Sequence, residues 1–379
     1  MAKFVIAPDS FKGTMSAVKV CEIIGTAVRN CFPDSQVLSL PLADGGEGTV
    51  DCLCLAIGAK PVEIETIGAL GQPVKARYAT MGDTAIVEMA SVAGLHLAGE
   101  HPDPGIASTR GVGVLIKHAI ESGCHNILLG LGGSCTNDVG VGMASALGVR
   151  FFDRTGNEFV PTGYTLEHVK RIDSSQADAL LKHCKVKALC DVSNPLYGKN
   201  GAAFVYAPQK GADDTQVQEL DRNMHAFAQV LKEHYGTETA EMPGAGAAGG
   251  MGAGTLCFLH GELQSGIGTL LKLVGFEEKI KDANLIITGE GRLDEQSAFG
   301  KTIAGISAMA QKHRIPVIVL AGCLGEGAEK AYEHGIGAIF GTVKFPGSSD
   351  EILKNAESNL ASAADSVMRL IKICTKSSI

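Results

Sequence analysis

The sequence predicts an α/β protein of two domains, one built on a parallel sheet from both ends of the chain and one inserted between them. Three observations carry this. At 379 residues the chain is too long for one compact core. Its apolar residues are mainly small or branched aliphatics, with aromatics at 5% and no Trp, which suits buried parallel strands better than a β-sandwich. Finally, a regular strand–helix alternation stops near residue 60, gives way to antiparallel patterns, and returns from Asn284 onward.

Lys3 to Ala7 reads as a buried first strand, with Asp9-Ser10-Phe11-Lys12 in the loop at its carboxyl end. The helix after it carries Ala17, Val20, Ile23, Ile24, Ala27, Val28 and Cys31 at helical spacing and is closed by Pro33. Val37 to Leu40 is a second strand, followed by Asp44-Gly45-Gly46-Glu47-Gly48 and a helix from Thr49 to Ile57. Val62–Ile67, Val74–Thr80 and Ala85–Met89 then read as antiparallel strands, the last two joined at Met81-Gly82-Asp83. A helix from Val112 to Glu121, strands at Asn126–Gly130, Val186–Cys190 and Ala202–Tyr206, and a long helix from about Thr215 to Glu233 complete the insertion. The last part alternates again: strand Leu285–Thr288, helix Thr302–Lys312, strand Ile315–Leu320, a short helix near Ala328, strand Gly337–Phe340, and a final helix from Ile352 to about Ile373. Residues 1–60 and 284–379 are therefore assigned to a discontinuous Rossmann/flavodoxin-like domain, and residues 61–283 to an inserted mixed α/β domain with glycine-rich phosphate loops.

The stretch from Asn126 to Gly148 joins a short apolar strand to a glycine loop and a helix that Thr136, Asn137 or Asp138 can cap. Such a turn lets the backbone approach a phosphate and aims helix N–H groups at it. Gly132, Gly133, Ser134, Thr136 and Asn137 are the candidate nucleotide-binding residues. Gly is abundant, 48 of 379, and comes in bursts beside strands. A second burst, Pro243 to Gly254, matches the dinucleotide fingerprint at Gly244, Gly246 and Gly249, but the polar residues before it cannot form the required strand. Close helix packing or a second anion loop explains it better.

Polar clusters close four predicted strands: Asp9 to Lys12, Asp44 to Gly48, Asp191-Val192-Ser193-Asn194-Pro195, and Thr288 to Asp294 with Lys301 and Thr302 beyond. Carboxylates at strand ends suit Mg²⁺, which takes one or two protein carboxylates together with substrate phosphates. Arg292 and Lys301 suit phosphate or carboxylate. Gly300-Lys301-Thr302 ends like a P-loop, yet Glu295 stands where its first glycine belongs. No basic run exists at a net charge of −8, which argues against nucleic acid. The eleven cysteines contain no Cys-x-x-Cys pair and read as small buried hydrophobes in a reducing compartment. The histidines lack metal-ligand spacing, and neither a secretory signal nor a membrane-length apolar stretch is seen, so a cytoplasmic location is expected, with no membrane partner. Anion cradles, carboxylates for a divalent metal and cations together point to phosphoryl transfer.

Ile6 to Lys12, Leu42 to Thr49, Leu131 to Asp138, Cys190 to Leu196, Ala207-Pro208-Gln209-Lys210-Gly211-Ala212, Pro243 to Gly250 and Ile287 to Asp294 resemble the bacterial type 1 glycerate kinase family. The likeness runs in order nearly to Gly322 and departs from the family's usual residues at Cys135 and Thr302. It implies two α/β domains with the site in the cleft between them, and transfer of the ATP γ-phosphoryl group to D-glycerate, generally giving 2-phosphoglycerate. ATP and Mg²⁺ are the implied cofactors and glycerate the partner; the oligomeric state is left open. On this reading Ser10 and Lys12 hold the glycerate carboxylate, Asn194 assists substrate binding, and Lys301 and Arg292 stabilise the transferring group. Asp191 orients or deprotonates the hydroxyl, or else binds metal, for which Asp44, Glu290 and Asp294 are the other candidates; the sequence does not divide these roles. A non-catalytic sensor of a small acid or phosphorylated metabolite is the competing class.

Overall fold

The structure, a computed structural model, describes residues 1–295 and 302–376. The chain divides into two units. Met1–Asp44, Asp51–Gly58 and the residues from Ile267 onward make unit 1, and Gly45–Val50 with Ala59–Gly266 make unit 2. Numbered in chain order, β1 (Lys3–Ile6) and β2 (Gln36–Ser39) open unit 1. Unit 2 holds β3 (Lys60–Ile67), β4 (Pro73–Met81), β5 (Thr84–Glu88), β6 (Asn126–Gly130), β7 (Arg150–Phe152), β8 (Glu158–Phe159), β9 (Arg171–Asp173), β10 (Lys185–Leu189) and β11 (Glu262–Gln264). Unit 1 resumes with β12 (Leu285–Leu293), β13 (Val317–Leu324) and β14 (Ala338–Gly341).

Unit 1 is a five-stranded sheet in the order β14-β13-β12-β1-β2, parallel throughout. Counted within the unit and read from the β2 edge, that order is 2-1-3-4-5, the flavodoxin-like winding, whose direction of travel reverses between β1 and β12. The strands read as apolar runs because both faces are covered. On one face the helix Ala17–Cys31, capped by the Ser16 hydroxyl accepting from the Lys19 N–H at 3.2 Å, buries Val20, Ile24 and Val28. The helix Ala356–Lys376 adds Leu360, Ala364 and Met368 to the same core as Ile6, Ile287 and Leu320.

Unit 2 has a six-stranded mixed sheet in the order β11-β10-β6-β5-β4-β3 and a separate antiparallel sheet β8-β7-β9. The β3–β4–β5 part is antiparallel and the β5–β6–β10–β11 part parallel. Its core includes Tyr78, Met89, Leu129, Phe151, Phe227 and Phe258.

Several expected elements differ. Ala202–Tyr206 is a helix. Its aromatic and branched residues suggest a strand, but Phe204 and Val205 are 39% and 43% exposed while Ala202 and Ala203 are buried, a helical distribution. The final helix is two, Ser349–Lys354 and Ala356–Lys376. β12 runs on to Leu293 because Glu290 and Arg292 pair in register with Ala321 and Cys323 of β13. The cysteines are only partly a buried set, since Cys323 and Cys374 are exposed. Among the described residues no helix is long and apolar enough to cross a membrane.

Candidate active site

The carboxyl ends of unit 1's strands surround a cavity of about 370 Å³. β1 delivers Asp9, Ser10, Phe11 and Lys12, β2 is followed by Asp44, β12 contributes Glu290 and Arg292, and β13 contributes Gly322 and Cys323. This is where an open parallel sheet binds ligands, at the point where the strand order reverses. Alternation along β12 sends Glu290 and Arg292 to the same side. The sequence-predicted Ser10, Lys12, Asp44, Glu290 and Arg292 are thus gathered in one place.

The electrostatics of this cavity are dominated by acids. Asp9 accepts from the Ser10 N–H at 2.6 Å and from the Thr302 hydroxyl at 2.9 Å. Burial pushes its carboxyl above the usual range, the Asp44 carboxylate adds to that, and the two donors and Lys12 oppose it. Lys12 reaches Asp44 at 3.5 Å, and Asp44 above all, then Asp9 and Glu290, hold its ammonium above the ordinary value. The Lys12 side chain is 77% exposed, so this pair is worth only about 0–1 kcal/mol and leaves the cation available to an anion. Arg292 donates from Nε to Asp294 at 3.2 Å; Asp294 itself is not among the residues lining the cavity. Among the described residues no group of three or more His, Cys, Asp or Glu could hold a metal. Lys301 lies outside the described residues.

Asp191 and Asn194 follow β10 in unit 2. Asp191 Oδ1 accepts from the Ser265 hydroxyl at 3.0 Å and the Gly266 N–H at 2.9 Å, whereas its buried Oδ2 has no hydrogen bond among the described residues. Asn194 is bonded on both sides of its amide, donating to the Asn200 carbonyl at 2.8 Å and accepting from the Tyr206 hydroxyl at 2.6 Å. That amide braces the turn.

The loop after β6 differs most from expectation. The helix starts only at Val141, with Gly140 at its N-cap, so none of Thr136, Asn137 and Asp138 occupies the cap position. Its early N–H groups have protein acceptors: Asp138 takes those of Gly140 at 3.1 Å and Gly142 at 3.3 Å, and the Thr109 hydroxyl takes that of Met143 at 2.9 Å. Thr136 and Asn137 are fully buried, and Ser134 nearly so. Beneath them lies Lys210, whose ammonium donates to Ser134 Oγ at 2.9 Å and to the Thr136 carbonyl at 2.8 Å. Burial pulls that ammonium down to about 8, against the attraction of Cys135 and Asp138. Gly132 and Gly133 remain accessible, yet each has a structural reason to be glycine. A Cβ on Gly132 would stand 2.7 Å from the Gly46 Cα, and Gly133 has φ +76°. The second glycine burst is close packing as well, since a Cβ on Gly249 would meet the Thr136 carbonyl at 2.0 Å.

Sequence reasoning left four structural partners without a role. Asp9 and Thr302 sat in recognised clusters. Lys210 sat in a quoted motif, but its pairing with residues 74 and 76 positions away carries no local signal. Glu88 had none: it ends β5, is buried, and accepts from the Gly48 and Val50 N–H groups.

Comparison with known proteins shows the family. Residues 4–372 match the Glycerate kinase family. A Bacillus cereus protein named glycerate kinase is 43% identical over 377 residues, 99% of each chain. An Escherichia coli protein named glycerate 2-kinase is 43% identical over 374 residues, 98% of each. The crystal structure of a candidate glycerate kinase 2 from Salmonella typhimurium superposes with a TM-score of 0.85 at 38% identity, covering 99% of both chains. The chain belongs to the glycerate kinase family.

Proposed function

We propose that this protein transfers the γ-phosphoryl group of ATP to the 2-hydroxyl of D-glycerate, releasing ADP, 2-phosphoglycerate and the hydroxyl proton. The observation that carries the reading is the 43% identity, across 98% of both chains, with the Escherichia coli protein named glycerate 2-kinase. ATP as donor makes the cytoplasm the proposed compartment.

In unit 1, Lys12 and Ser10 are assigned to the glycerate carboxylate, a cation and a hydroxyl at the end of β1. Arg292, on the same side of the cavity as Glu290, is assigned to the charge of the transferring group. Lys301 is assigned the same task. Mg²⁺ fits the donors present: Asp44 and Glu290 line one cavity, and Asp44 already raises the Asp9 carboxyl, a crowding of negative charge that a divalent cation relieves. When bound with the triphosphate it supplies Lewis-acid neutralisation of the phosphate oxygens. Asp294, held by Arg292, is the weaker metal candidate. In unit 2, the Asp191 Oδ2 has bonding capacity to orient a hydroxyl or take its proton, and Asn194 keeps that turn in shape. Gly132 and Gly133 are the accessible part of the proposed nucleotide loop; Ser134 and Thr136 support it from behind through Lys210, and the buried Asn137 through its amide on the Met224 sulfur.

Purified protein with D-glycerate, ATP and Mg²⁺ tests the reading, with phosphorus NMR identifying the product. Formation of 2-phosphoglycerate dependent on all three components is the expected result. ATP consumption indifferent to glycerate, or a 3-phosphate product, refutes it.

A further inference from the structure

The unit 1 cavity has a second half that glycerate chemistry does not explain. Besides the acids and Lys12, its lining includes Val343 after β14, Ile352 and Leu353 of the helix Ser349–Lys354, and Ala356 of the helix that follows. Glycerate carries an oxygen on every carbon and gains nothing from such a wall. The volume of about 370 Å³ also falls in the range of roughly 300–1,000 Å³ typical of sites for larger, ring-bearing ligands. Leu353 is left 50% exposed.

The wall is held in place. Ser348 and Glu351 form a reciprocal capping box on the helix Ser349–Lys354. In the next helix, Leu360, Ala364 and Val367 are buried against the helix Ala17–Cys31 and the sheet. Ala356 and Asn359 continue that buried stripe by one turn, beyond the core and along the cavity. Among the described residues the Asn359 side chain makes no hydrogen bond, although its carboxamide offers both a donor and an acceptor.

We propose that this apolar half of the cavity holds the base of a purine nucleoside triphosphate, with Val343, Ile352, Leu353 and Ala356 against the ring faces and Asn359 reading the ring edge. A carboxamide accepts from an exocyclic amino group and donates to the neighbouring ring nitrogen, the paired pattern adenine presents at N6 and N7, where guanine has the two acceptors O6 and N7. The triphosphate then runs toward Arg292 within the same cavity. This assignment rests on the kinase reading above, and names where its nucleotide is selected.

The test is calorimetric titration of the whole protein with ADP in the absence of glycerate, combined with steady-state kinetics against ATP, GTP and D-glycerate. Ala356→Phe fills the wall: ADP affinity should fall about tenfold or more and the ATP KM rise in parallel, with the glycerate KM within about twofold and kcat recovered at saturating ATP. Asn359→Asp removes the donor and should shift the ATP-to-GTP ratio of kcat/KM toward GTP by about tenfold, whether or not Ala356→Phe folds. Unchanged ADP affinity in a folded Ala356→Phe protein overturns the assignment. So does a rise confined to the glycerate KM, which would give the cavity wholly to the acid. An unchanged ATP-to-GTP ratio in Asn359→Asp overturns the edge contact. If the wild-type protein binds ADP but never consumes ATP with glycerate, the kinase reading fails while the ADP titrations still decide the base pocket.

Discussion

Replacing Lys210 by Met isolates the electrostatics of the loop it supports. The ammonium of Lys210 is fully buried and its pKa falls from the ordinary 10.5 to about 8 in the folded protein. Between those values the unfolded chain binds more protons than the folded one, so unfolding free energy rises with pH there. The folded state is therefore penalised in full below pH 8, and the penalty disappears as pH rises toward 10.5. At about 1.4 kcal/mol per pH unit, the span from 8 to 10.5 corresponds to about 3 kcal/mol. Buried acids work the other way in the same window. Burial raises the Cys135 thiol to about 11 and pushes the Tyr235 hydroxyl up, so the unfolded chain ionises first and their contribution declines as pH rises. The observable is accordingly the difference between wild type and Lys210→Met, in which the Tyr235 contribution is common to both, while the Cys135 thiol, which the ammonium pulls down, rises further in the variant. Urea unfolding from pH 7 to 10 should show wild type gaining on the variant by about 2–3 kcal/mol. Profiles that stay parallel to within about 0.5 kcal/mol would show that the ammonium is not desolvated and that the burial argument for this loop is wrong.

Three further substitutions address the proposed site. Lys12→Ala should raise the glycerate KM about tenfold or more while leaving the unfolding free energy within about 0.5 kcal/mol, because the exposed Lys12–Asp44 pair stabilises little; a KM unchanged in steady-state assays moves the carboxylate elsewhere. Gly133→Val forces a branched residue to φ +76° and should destabilise the protein by about 1–2 kcal/mol or more in urea as well as weakening nucleotide binding, so unchanged stability would contradict the left-handed backbone. Asp191→Asn keeps an oxygen for the Ser265 and Gly266 donors and removes the basic one; turnover should fall by about 10²–10⁴ with ADP affinity retained, and wild-type turnover would exclude any catalytic role.

What the sequence makes legible follows from what is local. The helix Ala17–Cys31 and the strands of unit 1 announce themselves because a one-sided helix and a two-sided buried strand leave periodic marks. The five cavity residues Ser10, Lys12, Asp44, Glu290 and Arg292 were accessible to the same reasoning, since polar residues closing apolar runs fall at the carboxyl ends of parallel strands, and the winding order brings those ends together. The errors arise where a distant partner decides. Nothing within Ala202–Tyr206 says that its alanines face a buried surface, and nothing within Thr288–Leu293 says that β13 extends the pairing.

The glycine loop after β6 shows the limit most sharply. Glycines, small polar residues and a following helix are shared by phosphate cradles and by tight packing of one backbone on another. Spacing alone does not separate the two; the partners do. Here Lys210 turns Ser134 and the Thr136 carbonyl inward, Asp138 and Thr109 satisfy the helix start, and Gly46 and the Thr136 carbonyl exclude a Cβ at Gly132 and Gly249. Loss of nucleotide binding in a glycine variant of this loop therefore does not by itself place a phosphate there, because such a variant also displaces backbone. A phosphate contact would weaken binding more than it weakens folding, whereas a packing role lowers both together, and only the two measurements made on the same variant separate them.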